Sequence, residues 1–236
     1  MKRFWESAAA AADAEGFTIE LDGKAMRLPG GAVLRVGNRA MAEAIAAEWQ
    51  AAGGGKGGEM TAADVPLTQL AGTAQERIAP DPAATADAIA RYAETDLLCY
   101  RAEHPAPLVA HQAHEWQPWL DWLEHEHGAK LIPTVGIAHV AQPPESLAAI
   151  RARLRSESAP VLAALGVAVP ALGSVVLGLA LAEGAVGPSR AFELAALDEL
   201  FQVERWGEDE WAAKRRRDIA SDIALAHRFL VLARAA

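Results

Sequence analysis

The residues of this chain with the most obvious chemical potential are histidines and acids near its middle. His111, His114 and Glu115 fall close together on a segment patterned as a helix, with His125 and His127 downstream. Histidines four apart on one helix face can hold zinc beside a glutamate general base. Here the first pair is three apart, HExxH spacing is absent, and His125 and His127 lie on different helix faces. A small metal-dependent hydrolase built on His111, His114 and Glu115 is therefore the alternative reading, set against solvated histidines near a helix end. Cys99, alone between Leu98 and Tyr100, can form no intrachain disulfide and has no local signature of a catalytic thiol. It reads as a small buried hydrophobe. No GxSxG elbow is present. Asp198 and Glu199 are adjacent, so on a helix they point in different directions and make a poor acid/base pair. The GGGKGG stretch at 53–58 lacks the GxxxxGK[ST] spacing of a phosphate cradle. The catalytic inventory is thin, and neither a metal nor a cofactor is expected.

The elements that would position such groups are organised around residues 197–211, LDELFQVERWGEDEW. Pro188 and Ser189 open a helix and Gly207 closes it. At about 100° per residue, Leu194, Leu197, Leu200 and Phe201 cover a broad apolar side. Asp198, Glu199, Gln202, Arg205 and Trp206 form a narrow polar stripe opposite. Such a stripe is either a solvated face or a docking site.

At 236 residues the chain is long enough for a substantial core. An apolar content of 52% with 22% charge excludes disorder, and a net charge of −9 argues against a nucleic-acid partner. The basic run KRRR at 214–217 follows acids on one predicted helix and reads as a solvated face. A lone cysteine fits a reducing compartment. Lys2 and Arg3 are followed by Glu6 and Asp13, which interrupt a signal-peptide core. Residues 159–182 carry no charge, but Gly166, Pro170, Gly173 and Gly178 break the run. Two short buried helices fit it better than a membrane span.

Along the chain, 17–21 and 24–28 flank Asp22-Gly23, the strongest hairpin signal present. Residues 33–36 read as a third strand. Asn38 caps a helix over 39–51 with Met41, Ile45 and Trp49 on one face. Helices are expected over 67–78, 82–93, 107–127 and 144–156, with a short extended pair within 130–140, and helices continue to 235. In the 107–127 helix, Trp116, Trp119, Leu120 and Leu123 share one face. The fold class is α+β, mostly α: a small β-rich N-terminal domain at 1–65, then a helical domain at 66–236.

Several of these segments together resemble one family, the assembly chaperone of the F1 ATP synthase that binds the alpha subunit. The matching pieces, in order, are RFW at 3–5, LDGK at 21–24, AEAIAAEW at 42–49 and PLTQLAGTA at 66–74. RYAETDLLCYRA at 91–102, the PWLDW-like stretch at 116–122, GSVVLGLALAEG at 173–184 and LDELFQVERWGEDE at 197–210 follow. The glycine loop at 53–58 and the histidines between His104 and His127 depart from the pattern. The resemblance implies a non-catalytic protein that holds the free alpha subunit until the beta subunit replaces it. It implies a partner-binding role for Glu199, and Asp198, Gln202 and Trp206 share its stripe. Trp49 also matches a family position whose loss is damaging, and its helix position makes it a core residue. A monomer in a bacterial cytoplasm is expected, or in a mitochondrial matrix for a eukaryotic member.

Overall fold

Asp22 and Gly23 both take left-handed φ, 49° and 74°. This is the geometry a two-residue hairpin turn needs, and glycine supplies half of it without strain. The turn joins β2 (Gly16–Leu21) to β3 (Lys24–Ala25), with Leu21 opposite Lys24. A further strand, β4 (Arg35–Val36), pairs with Phe17 and Thr18 on β2. The computed structural model describes residues 1–235, and the whole AAAAAD segment is a strand in it, β1 (Ala8–Asp13), antiparallel to β2. Alanine carries little strand preference, so nothing local announces β1. Six residues in register with β2 impose it, a case of pairing overriding propensity.

Contacts divide the chain into two compact units. The first comprises Met1–Asp81, Ser158–Ala164 and the segment from Arg228 onward. The second comprises Pro82–Glu157 and Leu165–His227. The β-containing unit thus continues past residue 65, where composition alone drew the boundary.

In the first unit, α1 (Arg39–Ala51) packs on β1 and β2. Asn38 caps it, its side-chain oxygen accepting from Met41 N at 2.8 Å. Ile19, Leu34, Ile45 and Leu67 are fully buried there, joined by Phe229 and Leu230. Next comes α2 (Pro66–Thr73), which runs into a π-helical turn at Ala74–Ile78. Two of the family-like segments interlock at this point. Glu48 Oε1 accepts from Leu67 N at 2.9 Å and Trp49 Nε1 donates to Thr68 Oγ1 at 2.8 Å. Burial raises the Glu48 carboxyl above its ordinary pKa while those amide donors oppose the shift. The glycine loop has an equally structural use. Gly57 N donates to Arg3 O and Arg3 N to Gly58 O, while the Arg3 guanidinium donates to the carbonyls of Trp5, Glu6, Gln50 and Ala52. A Cβ at Gly58 would run into the Gly53 carbonyl, so the loop closes only with glycine there.

The second unit is helical: α3 (Pro82–Ala90), α4 (Ala106–His127), α5 (Pro144–Arg155), most of α6 (Ala159–Leu172), α7 (Val175–Glu183), α8 (Pro188–Ala195), α9 (Leu197–Trp206) and most of α10 (Glu210–Ala233). Among the described residues no helix is long and apolar enough to cross a membrane. The uncharged run is instead α6 and α7, separated at Gly173 and Ser174. Every residue from Val175 to Ala182 is buried, the pattern of a helix surrounded on all sides. The expected extended pair within 130–140 is different in detail. Only β6 (Thr134–Val135) forms, and it pairs in parallel with β5 (Tyr100–Arg101).

Candidate functional site

The helix expected to run unbroken from Pro188 to Gly207 is two helices. Ala196 leaves helical geometry at φ −92°, ψ 8°, and α8 ends there and α9 begins. Leu194 and Leu197 on either side of the break are buried, so the apolar side survives while the stripe on α9 gains its own direction.

Along that stripe, Asp198 and Glu199 have separate partners on separate helices. Asp198 Oδ1 accepts from Gln112 Nε2 on α4 at 2.7 Å. Gln112 is buried; its side-chain oxygen accepts from Ala102 N and its carbonyl from Arg101 Nη1. The Arg101 guanidinium lies 5.4 Å from the Trp116 ring centroid, and burial lowers its pKa. Trp116 in turn donates from Nε1 to Leu194 O at 2.9 Å. Asp198 is therefore tied inward, and it fixes α9 on α4.

Glu199 faces α10 instead. Its oxygens lie 3.4 Å from Arg215 Nη1 and 3.5 Å from Arg216 Nη1, and its side chain is 43% exposed. Contacts that long around a half-exposed carboxylate are weak, so Glu199 can exchange partners. Arg216 corrects the reading of the basic run as a solvated face. It is only 7% exposed and makes a 2.6 Å bond to Glu208 Oε1. A residue in a KRRR run gives no sequence sign of turning inward; the acids at 208–210 that receive it belong to a different element.

The rest of the stripe is open. Gln202 and Arg205 are exposed, Arg205 stacking over Phe201 at 4.0 Å. Trp206 is 76% exposed and Trp211, across Gly207, is 73% exposed. Two bare indoles beside Glu208, Asp209 and Glu210 make a surface that is at once aromatic and acidic. Indoles left in water are costly unless something covers them, and tryptophan is a favoured anchor of protein interfaces.

The other candidate cluster does not assemble. Glu115 is ion-paired with Arg190, His111 Nε2 lies 3.9 Å from Glu115, and His114 is exposed. His125 contacts only Glu126 among the acids, whereas His127 packs against Trp122 and lies 3.2 Å from Glu183. Among the described residues no three His, Cys, Asp or Glu side chains converge as metal ligands would. Cys99 is buried, and desolvation, aided by the nearby Asp96, pushes its thiol up to about 12. A thiol so placed is not a nucleophile at neutral pH.

Sequence reasoning gave no role to Asp96, which is fully buried. Its carboxylate accepts from Leu98 N at 3.0 Å, Val176 N at 3.1 Å and Ser174 Oγ at 2.8 Å. Ser174 Oγ accepts from Leu177 N, and Leu97 N donates to Gly173 O. The segments DLLCYRA and GSVVLG are thus two halves of one joint at the start of α7.

Comparison with known proteins places this arrangement. The profile of the ATP12 chaperone protein family matches residues 2–124. A mitochondrial protein of Schizosaccharomyces pombe, atp12, is 26% identical over 87% of this chain and 74% of its own. The crystal structure of Atp12 from Paracoccus denitrificans superposes with a TM-score of 0.93 at 38% identity, over 99% of this chain and 98% of that one. A point mutant of the same Paracoccus protein gives 0.93 at 37% identity, over the same shares. A match to half the chain in sequence and to nearly all of it in fold, at such identity, has one meaning: the chain belongs to the ATP12 chaperone family.

Proposed function

We propose that this chaperone holds the unassembled alpha subunit of the F1 ATP synthase, prevents its aggregation and yields it to the beta subunit. The observation that carries the reading is the paired exposure of Trp206 and Trp211 on a surface that also presents Glu199 and Gln202. A free ring subunit exposes apolar interface, which is an aggregation hazard. Its stand-in must cover that surface and later leave, which favours a few aromatic anchors within a polar rim. In this reading Glu199, Gln202 and Trp206 touch the client, and Asp198 holds α9 in place for them. The function uses no catalytic residue, metal or cofactor, and it operates as a monomer wherever F1 assembles: a bacterial cytoplasm, or a mitochondrial matrix in a eukaryote.

The test is light scattering of free alpha subunit with and without this protein, followed by affinity measurement on variants. Glu199→Ala is expected to keep the wild-type melting curve and to weaken the complex roughly tenfold, the scale of one charge-assisted contact. Trp206→Ala is expected to cost at least as much. Unaltered affinity in both variants would remove α9 from the interface, and failure to suppress alpha-subunit aggregation would end the reading.

A further inference from the structure

The connection between α4 and α5 has a composition unlike the rest of the chain. No Asp, Glu, Lys or Arg occurs over residues 131–144. Within it Ile137 is 98% exposed, Val135 61% and Ile132 41%. An exposed aliphatic cluster on a surface loop marks a contact surface.

The loop is also held firmly in place. Gln142, itself buried, uses its side-chain amide to accept from Ile132 N at 2.7 Å and donate to Ile132 O at 3.0 Å. Ser146 Oγ brackets Lys130 in the same way, at 2.9 and 2.8 Å. Gly136 N donates to Arg101 O at 2.8 Å, and β6 pairs with β5 alone, so its other edge pairs with no strand among the described residues. An anchored backbone that presents aliphatic side chains beside an open strand edge is pre-organised for strand addition.

Two features identify the occupant. The first is continuity with the α9 surface. Val135 pairs with Arg101, Arg101 donates to Gln112, and Gln112 donates to Asp198, the neighbour of Glu199. The second is charge: an uncharged edge accepts an uncharged strand without burying an unpaired ion. Resting on the chaperone function proposed above, we propose that the free edge of β6, with Ile132, Val135 and Ile137, receives an extended apolar segment of the unassembled client subunit. The α9 surface contributes aromatic and acidic contacts, and β6 contributes main-chain and aliphatic ones.

Affinity for purified alpha subunit is measured for the wild type, Ile137→Asp, Ile137→Val and Glu199→Ala, with amide exchange followed at 132–137. Ile137 has no packing to lose, so Ile137→Asp is expected to melt like the wild type. It is expected to bind the client at least about tenfold more weakly, while Ile137→Val retains affinity. Exchange at 134–137 is expected to slow when client binds. Full affinity of Ile137→Asp alongside a weakened Glu199→Ala would overturn the β6 site and leave the chaperone function standing. No complex with the wild type would overturn both. A homodimer abolished by Ile137→Asp would assign the edge to a second copy of this chain and overturn the proposal.

Discussion

Trp49→Ala is expected to destabilise the protein by about 3–5 kcal/mol, the usual cost of emptying an aromatic site in a core. The indole is nearly fully buried, 4.9 Å centroid to centroid from the Trp5 ring, with its Nε1 on Thr68 Oγ1 and its carbonyl accepting from Trp5 Nε1. Truncation would leave a cavity between α1 and the first residues of the chain and free the Thr68 hydroxyl. At the scale of this chain that corresponds to a fall of roughly 10 °C in melting temperature. Trp49→Phe keeps the ring contact and gives up only the Thr68 bond, so it is expected to lie between the two. Client affinity per folded molecule should be unchanged in both variants, which separates them from Glu199→Ala. A wild-type melting curve for Trp49→Ala would defeat the assignment of Trp49 to the core.

The second large effect is at Asp96. Asp96→Ala would leave Leu98 N and Val176 N without acceptors and Ser174 without its partner, all in a region closed to water. Unsatisfied buried donors cost about 1–3 kcal/mol each, offset in part by no longer burying a carboxylate, so a net loss of about 2–4 kcal/mol is expected. Burial is the larger influence on this carboxyl: its pKa is raised to about 6 although every hydrogen bond pulls the other way. Because the folded value lies above the unfolded one, near 4, the native state holds this proton more tightly. The contribution to stability is complete below about pH 4 and disappears as pH rises through 6, a change on the order of 3 kcal/mol. This slope is opposite to that of a salt-bridged aspartate. Urea titrations at pH 4.5 and 7 are expected to give a smaller difference for Asp96→Asn than for wild type; an equal difference would mean that Asp96 does not titrate in this window.

What could be read from sequence was whatever local rules control. The Asp22-Gly23 turn, the Asn38 cap and the break in the uncharged run follow from residue type and position alone. So does the different orientation of Asp198 and Glu199, since adjacent residues on a helix cannot share a direction. What could not be read depends on partners distant in the chain. β1 exists because β2 offers an edge, Asp96 matters because α7 starts beside it, and Arg216 turns inward because Glu199 and Glu208 flank it. The break at Ala196 is similar: alanine favours helix, and only packing on both sides interrupts it. The stripe on α9 was legible as a stripe; its division into an inward Asp198 and an outward Glu199 needed α4 and α10 in place.

The make-up of the first unit has a consequence for how the chain is synthesised. Asn38, which caps α1, donates through its amide nitrogen to Leu232 O, and Phe229 and Leu230 complete the core around that helix. The β-sheet and α1 emerge from the ribosome early, yet the side chains that seal them are translated after nearly everything else. Domains generally fold as units during synthesis, so this one must wait, partly assembled, until the segment from Arg228 arrives. A protein that protects an incomplete partner is itself incomplete through most of its translation. Removing only its final helical turns should therefore unravel its beginning.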